Sequence, residues 1–220
     1  RLVGSEMCIR DSMSGEQKFK EDDALSMSVE SSNAAELMFF TDKAQVYKTR
    51  ASDFADGKAS QLGDYLPAKL GMDEGESVMG MVLPGDYSGY MIFFFENGKA
   101  AKVELSAYRT TSNRRRLTGA YSDKSPLKAL LHLKEDREIA VYSTEPRVLI
   151  VNTALLGVKT TRTTQGVAVM ALKKKAVVTQ AKFAPDTLIR NHARYRARSL
   201  PAAGALLRED DRGEEQMSLI

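Results

Sequence analysis

MIFFFENGKAAKVELSAY, residues 91–108, decides how the chain folds. Met91 to Phe95 run without a polar interruption, and Glu96-Asn97-Gly98 then breaks the run. Asn-Gly between apolar segments is the strongest short-range hairpin signal, because both residues tolerate the backbone that a tight turn demands. A second strand resumes around Ala100-Ala101-Lys102. Two other stretches share this shape, LMFFTDKAQVYKTRASDF (37–54) and IAVYSTEPRVLIVNTALL (139–156). Their turns are Thr41-Asp42-Lys43 and Thr144-Glu145-Pro146, and their second strands centre on Val46-Tyr47-Lys48 and Val148-Leu149-Ile150. Each unit closes with a hydroxyl residue near an apolar one: Ser52 and Phe54, Ser106 and Tyr108, Thr153 and Leu155.

The spacing is regular. Phe40 to Phe94 is 54 residues and Phe94 to Tyr142 is 48, a period in the range of propeller blades. A polar loop with a glycine follows each hairpin: DGKASQLGDY (56–65, Gly63), TTSNRRRLTGAY (110–121, Gly119) and KTTRTTQGVAVM (159–170, Gly166). Further strands are expected in SVMGMVLP (77–84), PLKALLHL (126–133), GVAVMAL (166–172) and AVVTQAKF (176–183), with apolar and polar residues alternating mostly at period two. The expected fold is all-β, built of propeller-like repeats of four-stranded antiparallel blades. The blades span 36–88, 89–137 and 138–186, the end of a truncated blade precedes them at 13–35, and a closing strand with a flexible acidic tail follows at 187–220. Phe39, Phe40, Phe94, Tyr142 and Leu149 are expected in the blade cores.

Residues 1–12 read differently. Leu2 to Asp11 back-translate into a transposase-based sequencing adapter, so this stretch is taken as a translated adapter scar lying outside the fold, and the natural chain is expected to extend further at this end. The only cysteine, Cys8, lies in it, which leaves no disulfide framework, thiolate metal site or cysteine nucleophile elsewhere. His132 and His192 stand apart from any carboxylate cluster, and no metal site is expected. No apolar run approaches the roughly 20 residues of a membrane helix. The net charge of +3 conceals a polarity. Residues 13–89 carry 7 Lys/Arg against 14 Asp/Glu, residues 90–182 carry 17 against 7, and residues 183–220 carry 6 against 6. A basic block of that density suits a polyanion, or is a solvated basic face.

FFTDKAQVYK (39–48) resembles the blade-opening phrase of the C-terminal domain found in the A subunits of DNA gyrase and of its sister, topoisomerase IV. VKTTRTTQGV (158–167) resembles the same family's R-T-A-K/Q-G-V loop, and SLPAAGALLRED (199–210) resembles a C-terminal stretch of A subunits from Gram-positive bacteria. The resemblance spans residues 13–220 and implies a β-pinwheel whose basic rim binds and wraps double-stranded DNA. It also implies a type II topoisomerase in which ATP and Mg2+ act elsewhere in the holoenzyme. No cofactor is expected in this fragment. The implied partners, through regions outside it, are the B subunit plus a second A subunit, in the bacterial cytoplasm on the nucleoid, with no membrane partner. The family's Q-R-R-G-G-K-G box is absent: SNRRRLTG (112–119) shares only its basic character.

The DNA-binding residues expected are Arg114, Arg115, Arg116, Lys159 and Arg162 on the loops, Lys102 and Arg109 (with Lys48 and Arg50) on or after second strands, and Lys173, Lys174 and Lys175 at a hairpin tip. Ser112, Thr161, Thr163 and the amides near Gly119 and Gly166 are expected as neutral phosphate donors. The first repeat, with Gln61-Leu62-Gly63-Asp64 where its neighbours are basic, is expected to face protein; a protein-interaction module using this acidic blade is the alternative function. The family's strand-cleaving tyrosine lies in a separate N-terminal domain. Arg194-Tyr195 echoes its setting without the following threonine, so no catalytic residue is assigned and the fragment is expected to be inactive alone. Gln216-Met217-Ser218-Leu219-Ile220 resembles a sliding-clamp docking peptide on the end of an acidic linker, Glu209 to Glu215.

Overall fold

An unbroken apolar run on an extended backbone needs cover on both faces of its sheet, and that requirement organises the chain. The computed structural model describes residues 2–3, 8–9, 25–27, 29–55, 63–110 and 114–211. The strands in order are β1 (Leu2–Val3), β2 (Cys8–Ile9), β3 (Leu25–Met27), β4 (Glu36–Thr41), β5 (Gln45–Arg50), β6 (Asp64–Tyr65), β7 (Val78–Val82), β8 (Tyr90–Phe95), β9 (Lys99–Glu104), β10 (Arg116–Thr118), β11 (Leu127–Leu133), β12 (Glu138–Ser143), β13 (Arg147–Asn152), β14 (Val158–Lys159), β15 (Val167–Ala168), β16 (Val178–Phe183) and β17 (Ala205–Leu206). Two short helices, α1 (Leu66–Leu70) and α2 (His192–Tyr195), interrupt them. Among the described residues no helix is long and apolar enough to cross a membrane. The chain divides into two compact units, residues 1–86 with 110–120, and residues 87–109 with 121–220.

In the first unit β4 and β5 form the hairpin, Phe39 opposite Tyr47 and Phe40 opposite Val46. β7 flanks β4 with Met81 opposite Phe39, and β10 flanks β5 with Leu117 opposite Val46, giving the order β10-β5-β4-β7. Leu37, Phe39, Tyr47, Phe54, Leu66 and Met81 pack together, with Phe39 and Phe54 edge to face at 6.2 Å. A second sheet has the order β3-β1-β2-β6. Here the expectation that residues 1–12 stay unpaired fails for four of them: Leu2–Val3 pairs with Cys8–Ile9, and Cys8–Ile9 pairs with Asp64–Tyr65. The edge of β6 presents backbone N–H and C=O groups, and an adjacent extended segment satisfies them whatever its origin.

The second unit holds two sheets. In one, β8 lies between β11 and β9, with Phe93 opposite Leu130 and Ala101. β9 also takes β14, which runs parallel to it, and β15, which runs antiparallel. In the other sheet the order is β16-β12-β13-β17. Ile139 and Val141 of β12 pack with Ile92, Phe94, Leu149 and Val151 in one cluster. Ala140 and Tyr142, on the opposite face, pack with Val148, Ile150, Ile189 and Tyr195 in another. Both faces of the hairpin strands β4, β8 and β12 are therefore buried, in keeping with their unbroken apolar runs.

A further departure concerns the repeat boundaries. β10 follows the hairpin β8–β9 in sequence but pairs with β5 of the preceding hairpin. β14 and β15 follow β13 and pair with β9. β17 pairs back with β13. Each hairpin's outer neighbour thus comes from beyond the next hairpin or from the tail, so the sheets do not coincide with the spans 36–88, 89–137 and 138–186. Gly166 makes one of these returns sterically feasible. Its φ is +70°, and a Cβ there would lie 1.9 Å from the Ala100 carbonyl oxygen.

Candidate nucleic-acid interface

The triple arginine lies where the chain enters β10, the outer strand of the first hairpin's sheet. The Lys48 amide donates to the Arg115 carbonyl at 2.6 Å and fixes the entry. The side chains of Arg114 and Arg115 are exposed. Arg116 is committed elsewhere, to a two-pronged ion pair with Asp73: Nη1 donates to Oδ1 at 3.0 Å and Nη2 donates to Oδ2. Its Nε donates to the Gln45 side-chain oxygen, and its guanidinium lies 5.5 Å from the Tyr47 ring centroid. This hydrogen bonding holds the Asp73 carboxyl below its usual range and raises Arg116. Behind the pair sits a buried carboxylate, Glu76, which accepts from the Tyr47 hydroxyl at 2.8 Å, from the Asp73 amide at 3.0 Å, and from the Thr41 hydroxyl. Burial, with the bond to Glu76, pushes the Tyr47 hydroxyl up to about 12. Arg116 is thus exposed like Arg114 and Arg115 but, unlike them, engaged in an ion pair within its own unit.

Lys102 and Lys48 are also engaged within the fold. Both occupy the fourth position of the second hairpin strand, and both are buried. Lys102 Nζ lies 2.5 Å from Asp136 Oδ1 and donates to the Thr153 carbonyl at 3.3 Å, above the Tyr90 ring at 4.6 Å. Lys48 Nζ lies 3.4 Å from Glu36. Ile150 holds the matching position in the third hairpin. There Arg196 forms an isolated bridge with Ile150 and pairs with Glu138 through Nε at 2.6 Å and Nη2 at 2.9 Å. In every hairpin a cation therefore covers the first residue of the first strand: Glu36, Tyr90 or Glu138.

The remaining expected cations are accessible to different degrees. Lys159 is exposed on β14. Arg162 is half-buried, its guanidinium 5.9 Å from the Tyr108 ring. Arg109 lies 6.0 Å from the Tyr87 ring. Arg50 is exposed, and with Arg115 it contributes a smaller electrostatic share to an Asp53 carboxyl already lowered by bonds from the Thr49 hydroxyl and the Arg50 amide. Lys173, Lys174 and Lys175 form an exposed turn before β16, with Lys173 3.9 Å from Glu145. Thr161 and Thr163 are exposed. The amides expected to serve phosphate are occupied: Gly166 donates to the Thr164 hydroxyl at 3.2 Å, and Ala120 donates to the Ala44 carbonyl at 2.8 Å. Ser112 and Gln216 to Ile220 lie outside the described residues.

Tyr195 is a core residue. Its hydroxyl donates to Asp211 Oδ2 at 2.7 Å and accepts from the Arg208 amide at 3.2 Å, and burial raises it. Asp211, buried and held low chiefly by the Tyr195 bond, also accepts from the Arg190 amide at 2.8 Å. Glu209–Asp211, expected at the start of an acidic linker, instead form a helical turn fastened to the unit, and residues 212–215 lie outside the described residues. His132 Nε2 lies 3.2 Å from the Ser88 carbonyl oxygen, and among the described residues no group of three or more His, Cys, Asp or Glu is arranged to hold a metal. Sequence reasoning missed Asp73, Gln45, Glu76, Asp136 and Asp211, the partners that decide which cations and hydroxyls are engaged. Nothing in their local sequence marks them, since each partner pair is brought together only by folding.

Comparison with known proteins adds to the geometry. The family described as DNA gyrase C-terminal domain, beta-propeller, matches residues 35–61 and 158–184. The chain is 31% identical over 88 residues to the DNA gyrase A protein of Mycoplasma pneumoniae, covering 40% of this chain and 10% of that protein. It is 25% identical over 154 residues to the corresponding protein of Mycoplasma genitalium, covering 70% of this chain and 18% of that protein. The chain thus spans less than a fifth of the length of these relatives. In fold it is similar to a crystal structure of the C-terminal domain of DNA topoisomerase IV, with a TM-score of 0.75 at 18% identity over 87% of this chain and 64% of that one.

Proposed function

We propose that the chain, which is similar to the C-terminal β-propeller domains of the DNA gyrase and topoisomerase IV A subunits, binds double-stranded DNA through its phosphates and wraps it as a module of a type II topoisomerase. One observation carries this reading. Of the expected cations that make no ion pair among the described residues, four lie on one kind of segment, the piece of chain that supplies the outer strand of a neighbouring hairpin, while Arg50, Arg109, Lys174 and Lys175 lie elsewhere. Arg114 and Arg115 lead into β10, and Lys159 and Arg162 lie on and after β14. Such cations displace condensed counterions from the duplex and read no sequence. The chain's part is to hold and bend DNA. Strand cleavage, ATP and Mg2+ belong to the rest of the holoenzyme, whose other members are the B subunit plus a second A subunit, on the bacterial nucleoid.

The alternative, a protein-docking surface on the acidic first repeat, is weakened by the pairing within it. Asp73 is engaged by Arg116, Glu76 by Tyr47 and Thr41, Asp53 by Thr49, Asp64 by Lys69, and Glu36 by Lys48. Among the described residues, three of these carboxylates, Asp73, Asp64 and Glu36, are thereby paired with a cation inside the unit.

Wrapping has its own readout. A nicked circular plasmid sealed by ligase in the presence of the chain is expected to close with a shifted linking number, in proportion to protein added. Binding of the plasmid with no shift at saturation removes wrapping and leaves binding alone.

A further inference from the structure

The hollow beneath the segment that leads into β17 belongs to none of the sites above. HARYRARS (192–199) echoes a catalytic tyrosine, yet Tyr195 is buried and the arginines around it are not. The balanced charge of residues 183–220 averages two opposite stretches: Arg190, Arg194, Arg196 and Arg198 with no acidic residue among 190–198, then five carboxylates within 209–215. Arg196 is fixed by Glu138. Arg194 and Arg198, on either side of it, are exposed and make no ion pair among the described residues. Their backbone is held in place: the Ala197 amide donates to the Ile150 carbonyl at 2.8 Å, and the Ala202 amide to Val169 at 3.0 Å. With Ser199, Ala203, Gly204 and Ala205 these two arginines line an open hollow of about 320 Å³.

We propose that this hollow is a phosphate-binding station for duplex DNA on the second unit, which rests on the DNA-binding reading above and extends it to the third hairpin. It completes the repeat logic. Arg114–Arg115 precede β10, Lys159 and Arg162 accompany β14, and Arg194 and Arg198 precede β17. Small side chains in the lining let a bulky backbone group approach. Two guanidiniums in that lining match phosphodiester oxygens, to which arginine donates in a planar fork. An acidic protein would need an exposed aromatic or aliphatic anchor for its binding energy, and Leu149 and Tyr195, the large apolar side chains of the lining, are 2% and 1% exposed.

The test is fluorescence anisotropy of a labelled blunt duplex with the full chain, titrated at several salt concentrations. Arg194→Gln with Arg198→Gln is expected to flatten the slope of log affinity against log salt by about 1.8, from two contacts at about 0.9 each. Arg194→Lys with Arg198→Lys is expected to keep the wild-type slope, because the charges remain. An unchanged slope in the glutamine pair overturns the station. So does a glutamine pair that loses labelled polyglutamate while keeping its duplex affinity, since the hollow then serves an acidic protein. Arg114→Gln with Arg115→Gln, run alongside, separates the two readings. If only that pair flattens the slope, this station falls and the DNA-binding reading stands; if no variant does, both fall.

Discussion

Lys102 and Asp136 show how this chain commits some of its cations to holding the fold. The two ends of the pair are unequal: the Lys102 side chain is 5% exposed and that of Asp136 is 41% exposed. Removing the carboxylate strands an ammonium in the interior; removing the ammonium leaves a carboxylate that water can reach. Asp136→Ala is therefore expected to cost about 3 kcal/mol, in the range for an uncompensated buried charge, and Lys102→Met about 1 kcal/mol. Chemical denaturation reads both, and equal losses would mean that the pair is solvated at both ends. The pH dependence follows from the sign of the shift. Bonds from Lys102 and Thr153 lower the Asp136 carboxyl below its ordinary value. Its contribution is present above the unfolded pKa of about 3.9 and is lost as pH falls through the lower folded value. The stability gap between wild type and Asp136→Asn should hold at neutral pH and shrink below about pH 4. Charge counting found the basic block but could not sort it, because Arg115 and Arg116 are neighbours in sequence and only the fold brings Asp73 to one of them.

At the scale of the element, the hairpins were legible and their outer neighbours were not. MIFFF, ENG and the resumed strand state a hairpin outright, and β8 and β9 follow. The strands that complete the sheets are two or three residues long in β10, β14, β15 and β17. Such a length carries no periodicity, and pairing across a whole repeat leaves no local signal. The glycines of the loops were the nearest clue. Gly166 sits at positive φ with the Ala100 carbonyl where a Cβ would be. Gly166→Ala is expected to cost about 1–2 kcal/mol from the left-handed backbone alone, and more because the obstacle is backbone that must shift. Since β15 is fastened to β9 at Val167 and Ala100, the substitution should also raise amide exchange of Ala100 and Val167 selectively. Exchange unchanged at those amides would show that the return of the chain does not depend on this close approach.

Across the described residues, each of the three central hairpins takes an outer strand from outside its own contiguous span. The chain that returns to close a sheet also carries accessible cations, Arg114 and Arg115 before β10 and Lys159 on β14. We expect these cations, and not the internally paired ones, to hold DNA. The most direct test is the salt dependence of duplex binding for Arg114→Ala with Arg115→Ala, compared with Arg116→Ala. The double variant is expected to stay folded and to flatten the slope of log affinity against log salt by about 1.8, equally for duplexes of any sequence, while Arg116→Ala lowers stability and keeps the slope of its folded fraction. A wild-type slope in the double variant, or its loss in Arg116→Ala, would contradict the account.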